Sequence, residues 1–360
     1  MSFLITLFAL GFVIFIHEMG HMVAAKRSGI GVLEFAVGMG PKLYGKQVGE
    51  TLYSIRVFPF GGFVKLAGLD DDENSTCDPA LSFKTKPLAS RFITIVAGSA
   101  MNIVLGFLIF VIMYSMLGVP TPTPVVSDVF PNTPASEVGI RKGDRLVSLE
   151  GASIQDVKMD FIKIVHASKD TPLQLQILRD GVTSKLSITP RGTSKYPTLG
   201  LIGVRFDEEV RRYNPIKGLW LGSQRTYTSI SNVFLSLSML IRQEANLGDV
   251  AGPIGIVQLA SFHLDTANGL VGVLNFLNIM ALISISLGVM NLLPFPVLDG
   301  GHLIFLIIEG VIGRPVNSKW ETVIHNTGAA LLITVMVLVV FNDIMHWKNR
   351  LSILQKAAGL

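Results

Sequence analysis

Cysteine is nearly missing from this chain: Cys77 is the single one among 360 residues. That excludes an internal disulfide and a thiolate-rich metal site, so any metal must rely on histidine and carboxylate. Charge is scarce too. Lys, Arg, Asp and Glu make up 16% of the residues, against roughly 25% in soluble domains. The basic residues form no dense run and no nucleic-acid motif accompanies them, so the net charge of +4 and the pI of 9.1 point to anionic lipid headgroups and exclude nucleic acid as a partner. What fills the chain instead is apolar, 49% by residue, with a mean hydropathy of +0.52. This is the composition of an integral membrane protein.

A spanning helix needs about 20 mostly apolar residues. Four stretches qualify or nearly do: Phe3 to Ala25, Phe92 to Gly118, Leu270 to Leu298, and Asn326 to Asn342. The first has no basic leader and no small-residue cleavage site before Lys26, so it reads as a retained span rather than a signal peptide. Lys26-Arg27 at its end places that end in the cytoplasm and the N-terminus outside. Residues 26 to 91 then lie inside and 119 to 269 outside. The C-terminal tail, with Lys348, Arg350 and Lys356, lands outside against the positive-inside rule. Thr226 to Ile241 is uncharged but short, serine-rich and flanked by Arg225 and Arg242, which suits an interfacial amphipathic helix.

His17-Glu18-Met19-Gly20-His21 sits inside the first apolar stretch. Ionisable groups in lipid are usually paired and functional. Positions i and i+4 share a helix face, so His17 and His21 can direct both imidazoles at one metal ion, with Glu18 placed to take a proton from water at that ion. Two histidines leave zinc one protein ligand short of the usual three plus a water. Asp299 is the candidate third. It follows 29 uncharged residues and opens Asp299-Gly300-Gly301-His302. Just before it, the two prolines of Asn291-Leu292-Leu293-Pro294-Phe295-Pro296 must unwind the helix, and unwound backbone at membrane depth lines a protein-enclosed or watery cavity. Spans one and three run in the same direction. His17 lies about 21 Å along the first at 1.5 Å per residue, so it and Asp299 come to similar depth near the cytoplasmic side.

Outside the membrane, alternation such as Leu173-Gln174-Leu175-Gln176-Ile177 and the Asp180-Gly181 turn before Lys185-Leu186-Ser187-Ile188 indicate a small mixed domain over about Pro124 to Pro190. Inside, Leu52 to Lys65 is strand-prone and follows the helix that carries the histidines. A strand edge there could capture an unwound substrate by β-addition.

On these residues the chain resembles the site-2 family of intramembrane zinc metalloproteases, and within it the bacterial regulator-of-sigma-E protease type. HEMGH matches HExxH, Asn291 through Gly300 matches NxxPxxxxLDG, and Gly62-Phe63-Val64-Lys65 matches the GFVK segment. The resemblance implies one zinc per chain on His17, His21 and Asp299, Glu18 as base, and Asn291 assisting the substrate or the oxyanion. It also implies that Gly62, Phe63, Val64 and Lys65 belong to a membrane-associated sheet that meets the substrate. Asn132 to Ile140 and Gly143-Asp144-Arg145-Leu146 resemble a PDZ domain of the circularly permuted bacterial kind, serving as peptide receptor or as size filter. Two positions depart from the family pattern: Ser286, where relatives often carry Asn, and Ser99, where GPxxN has Pro. Neither is expected to touch the metal.

The expected architecture is a multi-pass α-helical membrane protein of about four transmembrane helices with a membrane-associated β segment and an inserted α+β PDZ domain. Residues 1–118 hold the first two spans, 119–205 the PDZ domain, 206–269 a linker with the amphipathic helix, and 270–360 the last two spans. The expected function is regulated intramembrane proteolysis of single-span substrates, such as anti-sigma factors or remnant signal peptides, at a bacterial inner membrane. A catalytically silent PDZ scaffold is the alternative. A metal transporter is disfavoured because spans two and four carry no ionisable residue. His302 could support the site, whereas His166, His263, His325 and His346 read as structural or exposed. Asn102, Asn275 and Asn278 read as interhelical hydrogen-bonding groups, and Asp70-Asp71-Asp72-Glu73 as a solvated loop.

Overall fold

The computed structural model describes residues 2–69, 78–193, 197–242, 252–266 and 269–345. Cys77, the acidic run at 70–73, His346 and the C-terminal basic residues lie outside them. In chain order the elements are α1 (Ser2–Arg27), β1 (Val32–Val48), β2 (Thr51–Leu66), α2 (Leu88–Ile112), β3 (Val119–Val129), α3 (Pro134–Glu137), β4 (Arg145–Leu149), β5 (Ala152–Ser153), α4 (Lys163–Ala167), β6 (Leu173–Arg179), β7 (Val182–Ile188), β8 (Val204–Arg211), α5 (Pro215–Ile241), α6 (Pro253–Thr266), α7 (Gly269–Asn291), α8 (Asp299–Ile312) and α9 (Ser318–Met345). They fall into two compact units, one of residues 1–117 with 214–360 and one of residues 118–213.

Four helices of the first unit are long and apolar enough to cross a membrane: Ser2–Arg27, Leu88–Leu117, Gly269–Asn291 and Lys319–Met345. Glycine sets how closely three of them approach. A Cβ on Gly20 would stand 2.5 Å from the Ala97 carbonyl oxygen, and one on Gly288 would stand 2.7 Å from that of Ser99. Small residues at such seams let backbones touch, the usual basis of helix association in lipid. His17 meets Asn102 and His21 meets Thr94, so position rises along α1 as it falls along α2, and α7 meets α2 in the same sense, with Gly288 near Ser99 and Ile285 near Gly106. Helices α1 and α7 are therefore both antiparallel to α2 and parallel to each other.

The third apolar stretch does not run unbroken to Leu298. Helix α7 ends at Asn291, the backbone unwinds through the two prolines, and α8 starts at Asp299. Asp299 thus stands in the first turn of a helix and not in a glycine-rich turn. Gly300 and Gly301 are needed inside that helix, because a Cβ would meet the Leu293 carbonyl oxygen at 2.0 Å and that of Phe295 at 2.6 Å. A bidentate Arg91–Glu309 ion pair ties α8 to α2. Helix α5 begins eleven residues before the expected Thr226, and its first half lies along α2, with Gly218 against Ser115 and Gly222 against Val111.

Strands β1 and β2 are long and bent, so they meet in more than one register. The first part of β1, Val32–Val37, has β2 residues Gly62–Leu66 on one side and Leu52–Ile55 on the other, while Lys42–Val48 pairs with Thr51–Arg56. Among the described residues no second strand pairs with Gly62–Leu66, which leaves it an edge.

The second unit is built on a sheet of order β7-β6-β4-β3-β8, with β5 beside β4. Alternation along β6 sends Leu173, Leu175 and Ile177 inward, where they join Leu146, Leu149, Phe161 and Ile188 in a sealed core. Strand β8 pairs with β3 and carries the unit on to residue 213. Asp144 is buried and bound by Arg179 at 2.6 and 2.7 Å, and it accepts from the Arg141 N–H at 2.8 Å. Burial pushes its carboxyl up, but the Arg179 hydrogen bonds and charge outweigh that and hold it below the usual aspartate range.

Candidate active site

One stripe of α1 is buried, and it carries His17, Gly20, His21 and Ala25. The stripe faces α2, where Gly98 leaves room for the His21 ring: a Cβ at 98 would sit 2.2 Å from His21 Nε2. His21 Nδ1 lies 2.9 Å from the Thr94 carbonyl oxygen. A carbonyl can only accept, so Nδ1 carries the proton and Nε2 presents its lone pair. On the other ring, His17 Nδ1 is 3.4 Å from the Asn102 side-chain amide, whose buried Oδ1 has no hydrogen-bond partner. Turning the Asn102 amide lets Oδ1 accept from His17 Nδ1–H, which satisfies the orphaned oxygen and frees His17 Nε2 as well.

The two Nε2 atoms stand 3.1 Å apart, and the Asp299 carboxylate lies 3.4 Å from the first and 3.5 Å from the second. A tetrahedral zinc ion with donors at about 2.0–2.1 Å requires donor–donor separations of about 3.3–3.4 Å. The carboxylate meets the two rings through different oxygens, Oδ2 towards His17 and Oδ1 towards His21, and all three separations are of the size a tetrahedral set requires, so these residues fit the ion. Ser99 Oγ donates to Asp299 Oδ2 at 3.1 Å. Ser99, not expected to touch the metal itself, thus contacts one of the candidate ligands. Asn291 Nδ2 approaches His17 Nε2 at 3.3 Å.

His17, His21, Asn291 and Asp299 line a cavity of about 390 Å³ together with Glu18, His302, and the Gly61–Val64 stretch of β2. Glu18 accepts a hydrogen bond from the Val64 backbone N–H, so this edge of β2 faces its carboxylate. Gly62 is packed close: a Cβ there would meet the Ala36 carbonyl oxygen at 2.8 Å and Glu18 Cγ at 3.5 Å. Of the four residues matched to the GFVK segment, Gly62, Phe63 and Val64 line the cavity and Lys65 does not. Asn275, Asn278 and Ser286 are also absent from its walls, whereas Asn102 supports His17. The supports that sequence reasoning missed are the Thr94 carbonyl, Ser99, Gly98 and the Val64 N–H. Of these, Ser99 alone carried a visible signal, as a departure from a family pattern.

The model of peptidase family M50 matches residues 5–335. The chain belongs to this family, the site-2 proteases. A protein of Clostridium acetobutylicum, provisionally named a zinc metalloprotease, is 35% identical over 345 residues, covering 96% of this chain and 98% of the relative. The zinc metalloprotease RasP of Geobacillus kaustophilus is 29% identical, covering 94% and 96%. The regulator of sigma-W protease RasP of Bacillus subtilis is 27% identical, covering 93% and 96%. The protein is a zinc metalloprotease of the site-2 type, with four candidate membrane spans.

Proposed function

We propose that this site-2 protease hydrolyses peptide bonds in or near the transmembrane helices of single-span substrates, with His17, His21 and Asp299 holding one zinc ion and Glu18 as general base. The observation that carries the reading is the set of three side chains whose donor atoms approach to 3.1–3.5 Å in a cavity walled on one side by Glu18 and on another by the Gly62–Leu66 edge of β2. When bound, zinc supplies a Lewis acid that polarises the scissile carbonyl and acidifies water. Glu18 takes the proton of the attacking water and returns it to the leaving amine. Asn291 Nδ2, at the cavity wall, donates to the carbonyl oxygen as negative charge develops there.

A helical substrate shields its peptide bonds with its own hydrogen bonds, so it must first unwind. The Gly62–Leu66 edge then takes the extended segment as an added strand beside Glu18. Gly62→Pro is expected to abolish cleavage while zinc is retained, and normal cleavage by that variant contradicts strand addition. The inserted unit we read as a PDZ domain with a peptide groove. Its cavity of about 160 Å³ is lined by Phe161, Ile162, Val165, Leu201, Val204 and Phe206, and apolar lining of this kind favours a receptor role over simple exclusion by size. Parallel α1 and α7 fit an orientation with the N-terminus and this unit outside the cytoplasmic membrane of a bacterium and the metal site towards the inner face. Anti-sigma factors and remnant signal peptides have the single-span form the site requires.

Co-expression of wild type and Glu18→Gln with a tagged single-span substrate library tests the reading. Products are expected with wild type alone. Equal product from both ends the protease assignment and leaves the silent scaffold.

A further inference from the structure

The turn that delivers Asp299 is held from the fourth candidate span. We propose that His325 on α9 is a positioning residue for the Asp299 carboxylate, acting through the backbone of Val297. The inference rests on the reading of Asp299 as a metal ligand.

Val297, two residues before Asp299, has φ +81° and lines the cavity. A β-branched residue rarely adopts that conformation, and it persists only where the surroundings over-determine it. Here the Val297 N–H donates to His325 Nδ1 at 3.1 Å. The His325 ring is itself fixed, stacked on His302 at 4.2 Å between centroids and tilted against Phe305 at 5.4 Å. Gly328, on the same face of α9, lets the helix close on the neighbouring residue: a Cβ there would stand 2.3 Å from Pro296 Cβ. Two positions on one face of α9 thus grip Pro296 and Val297 together. Locally the turn is closed by the Leu298 N–H to the Phe295 carbonyl oxygen at 3.2 Å, a bond that leaves the Val297 N–H to His325, and Leu298 supplies no side-chain cap to α8.

His302, Glu321 and His325 also have ligand atoms close enough to suggest a second metal site. The geometry points elsewhere. Lone pairs of imidazole lie in the ring plane, so two rings stacked at 23° aim theirs side by side and not at one point. His325 Nδ1 is already engaged by Val297, which places the ring proton on Nε2. Losing the acceptor leaves the Val297 N–H unsatisfied, the turn relaxes, and the Asp299 oxygens leave their positions 3.4 and 3.5 Å from the two histidines.

The test uses full-length protein in detergent, zinc release to a chromophoric chelator, and steady-state cleavage of a single-span substrate cut by wild type. His325→Phe keeps the ring stack and removes the acceptor. It is expected to release zinc about tenfold faster and to lose about tenfold in kcat with KM little changed, the low end for loss of a group supporting a metal ligand. His325→Asn, whose Oδ1 can stand in for Nδ1, should stay within about threefold of wild type. Val297→Gly adopts positive φ without strain, so the same His325→Phe change made in the V297G background should cost much less than in the parent. Wild-type zinc retention and kcat in H325F overturn the proposal. So do equal losses in H325F and H325N, or a loss that V297G leaves unchanged, because each assigns His325 to packing. If H325F does not accumulate, His325→Gln replaces it: its acceptor reaches the position of Nε2 instead of Nδ1, and behaviour equal to H325N overturns the proposal. Two zinc ions per wild-type chain, with one lost in H325F, overturn it in favour of a second metal site. Absence of zinc from the wild type removes the underlying site reading and not only this extension.

Discussion

The helical unit and the inserted unit use apolar side chains in opposite ways. In residues 118–213, Leu146, Leu149, Phe161, Leu175, Ile177 and Ile188 are each at most 1% exposed and form a closed core. Along α1, Phe8 is 76% exposed, while the buried stripe holds two histidines and a glycine. Lipid tails are as apolar as leucine, so burying leucine gains little there and contact between helices falls to small and polar residues. The inserted unit is held by what it hides from water. The helical unit has a smaller buried apolar cluster around Ile95, Leu303 and Leu306, and its functional groups stand on the seam where backbones come close.

Five changes break or sharpen this contrast. The largest effect is expected at the seam: Gly98→Ala puts a methyl group 2.2 Å from His21 Nε2, on a ring held by its bond to the Thr94 carbonyl. Zinc affinity should fall by at least about 100-fold and cleavage should vanish, measured by chelator competition and substrate turnover. Next, Leu175→Ala, at a fully buried site, should destabilise the inserted unit by about 2–5 kcal/mol, whereas Phe8→Ala on the exposed face of α1 should stay within about 0.5 kcal/mol. Hydrogen exchange on the full chain in a bilayer resolves both, and equal effects would erase the contrast.

Acid should separate the units as well. Asp144 titrates lower when folded than when unfolded, so its contribution is complete above the ordinary aspartate value of 3.8 and disappears as pH falls through the folded value. Exchange protection of β4 and β6 should drop over that range in wild type. In Asp144→Asn, that acid-dependent loss should be absent, with protection reduced already at neutral pH. The smallest effect is expected from Ser99→Ala, which removes the hydroxyl that donates to Asp299 Oδ2. Zinc release should quicken by up to about tenfold, and an unchanged rate would show that Arg91–Glu309 and the proline turn held from His325 position Asp299 without it.

The same contrast explains what could be read from the sequence. Alternation along Leu173–Ile177 announces a strand because water forces one face inward. HEMGH and Asp299 stand out because ionisable groups are conspicuous in apolar runs, and Pro294 and Pro296 announce the break between α7 and α8. Lipid imposes no such inward face on α1 or α2. Which residues of α2 would meet the histidines was therefore hidden, and Thr94, Gly98 and Ser99 emerge only from the packed helices. Helix α8 was hidden too, because Gly300-Gly301 reads as a turn until the Leu293 and Phe295 carbonyls are seen to require glycine. His325 read as structural or exposed; its partner, the Val297 N–H, exists only through the left-handed turn.

The central claim is that His17, His21 and Asp299 hold one zinc ion that Glu18 uses without ligating it. The most direct test is the zinc content per purified chain of wild type, Glu18→Gln and Asp299→Ala, with cleavage recorded on the same samples. About one zinc in wild type and in E18Q, cleavage in wild type alone, and loss of both in D299A is the predicted result. Zinc retained at wild-type level in D299A, or cleavage surviving in E18Q, would contradict it.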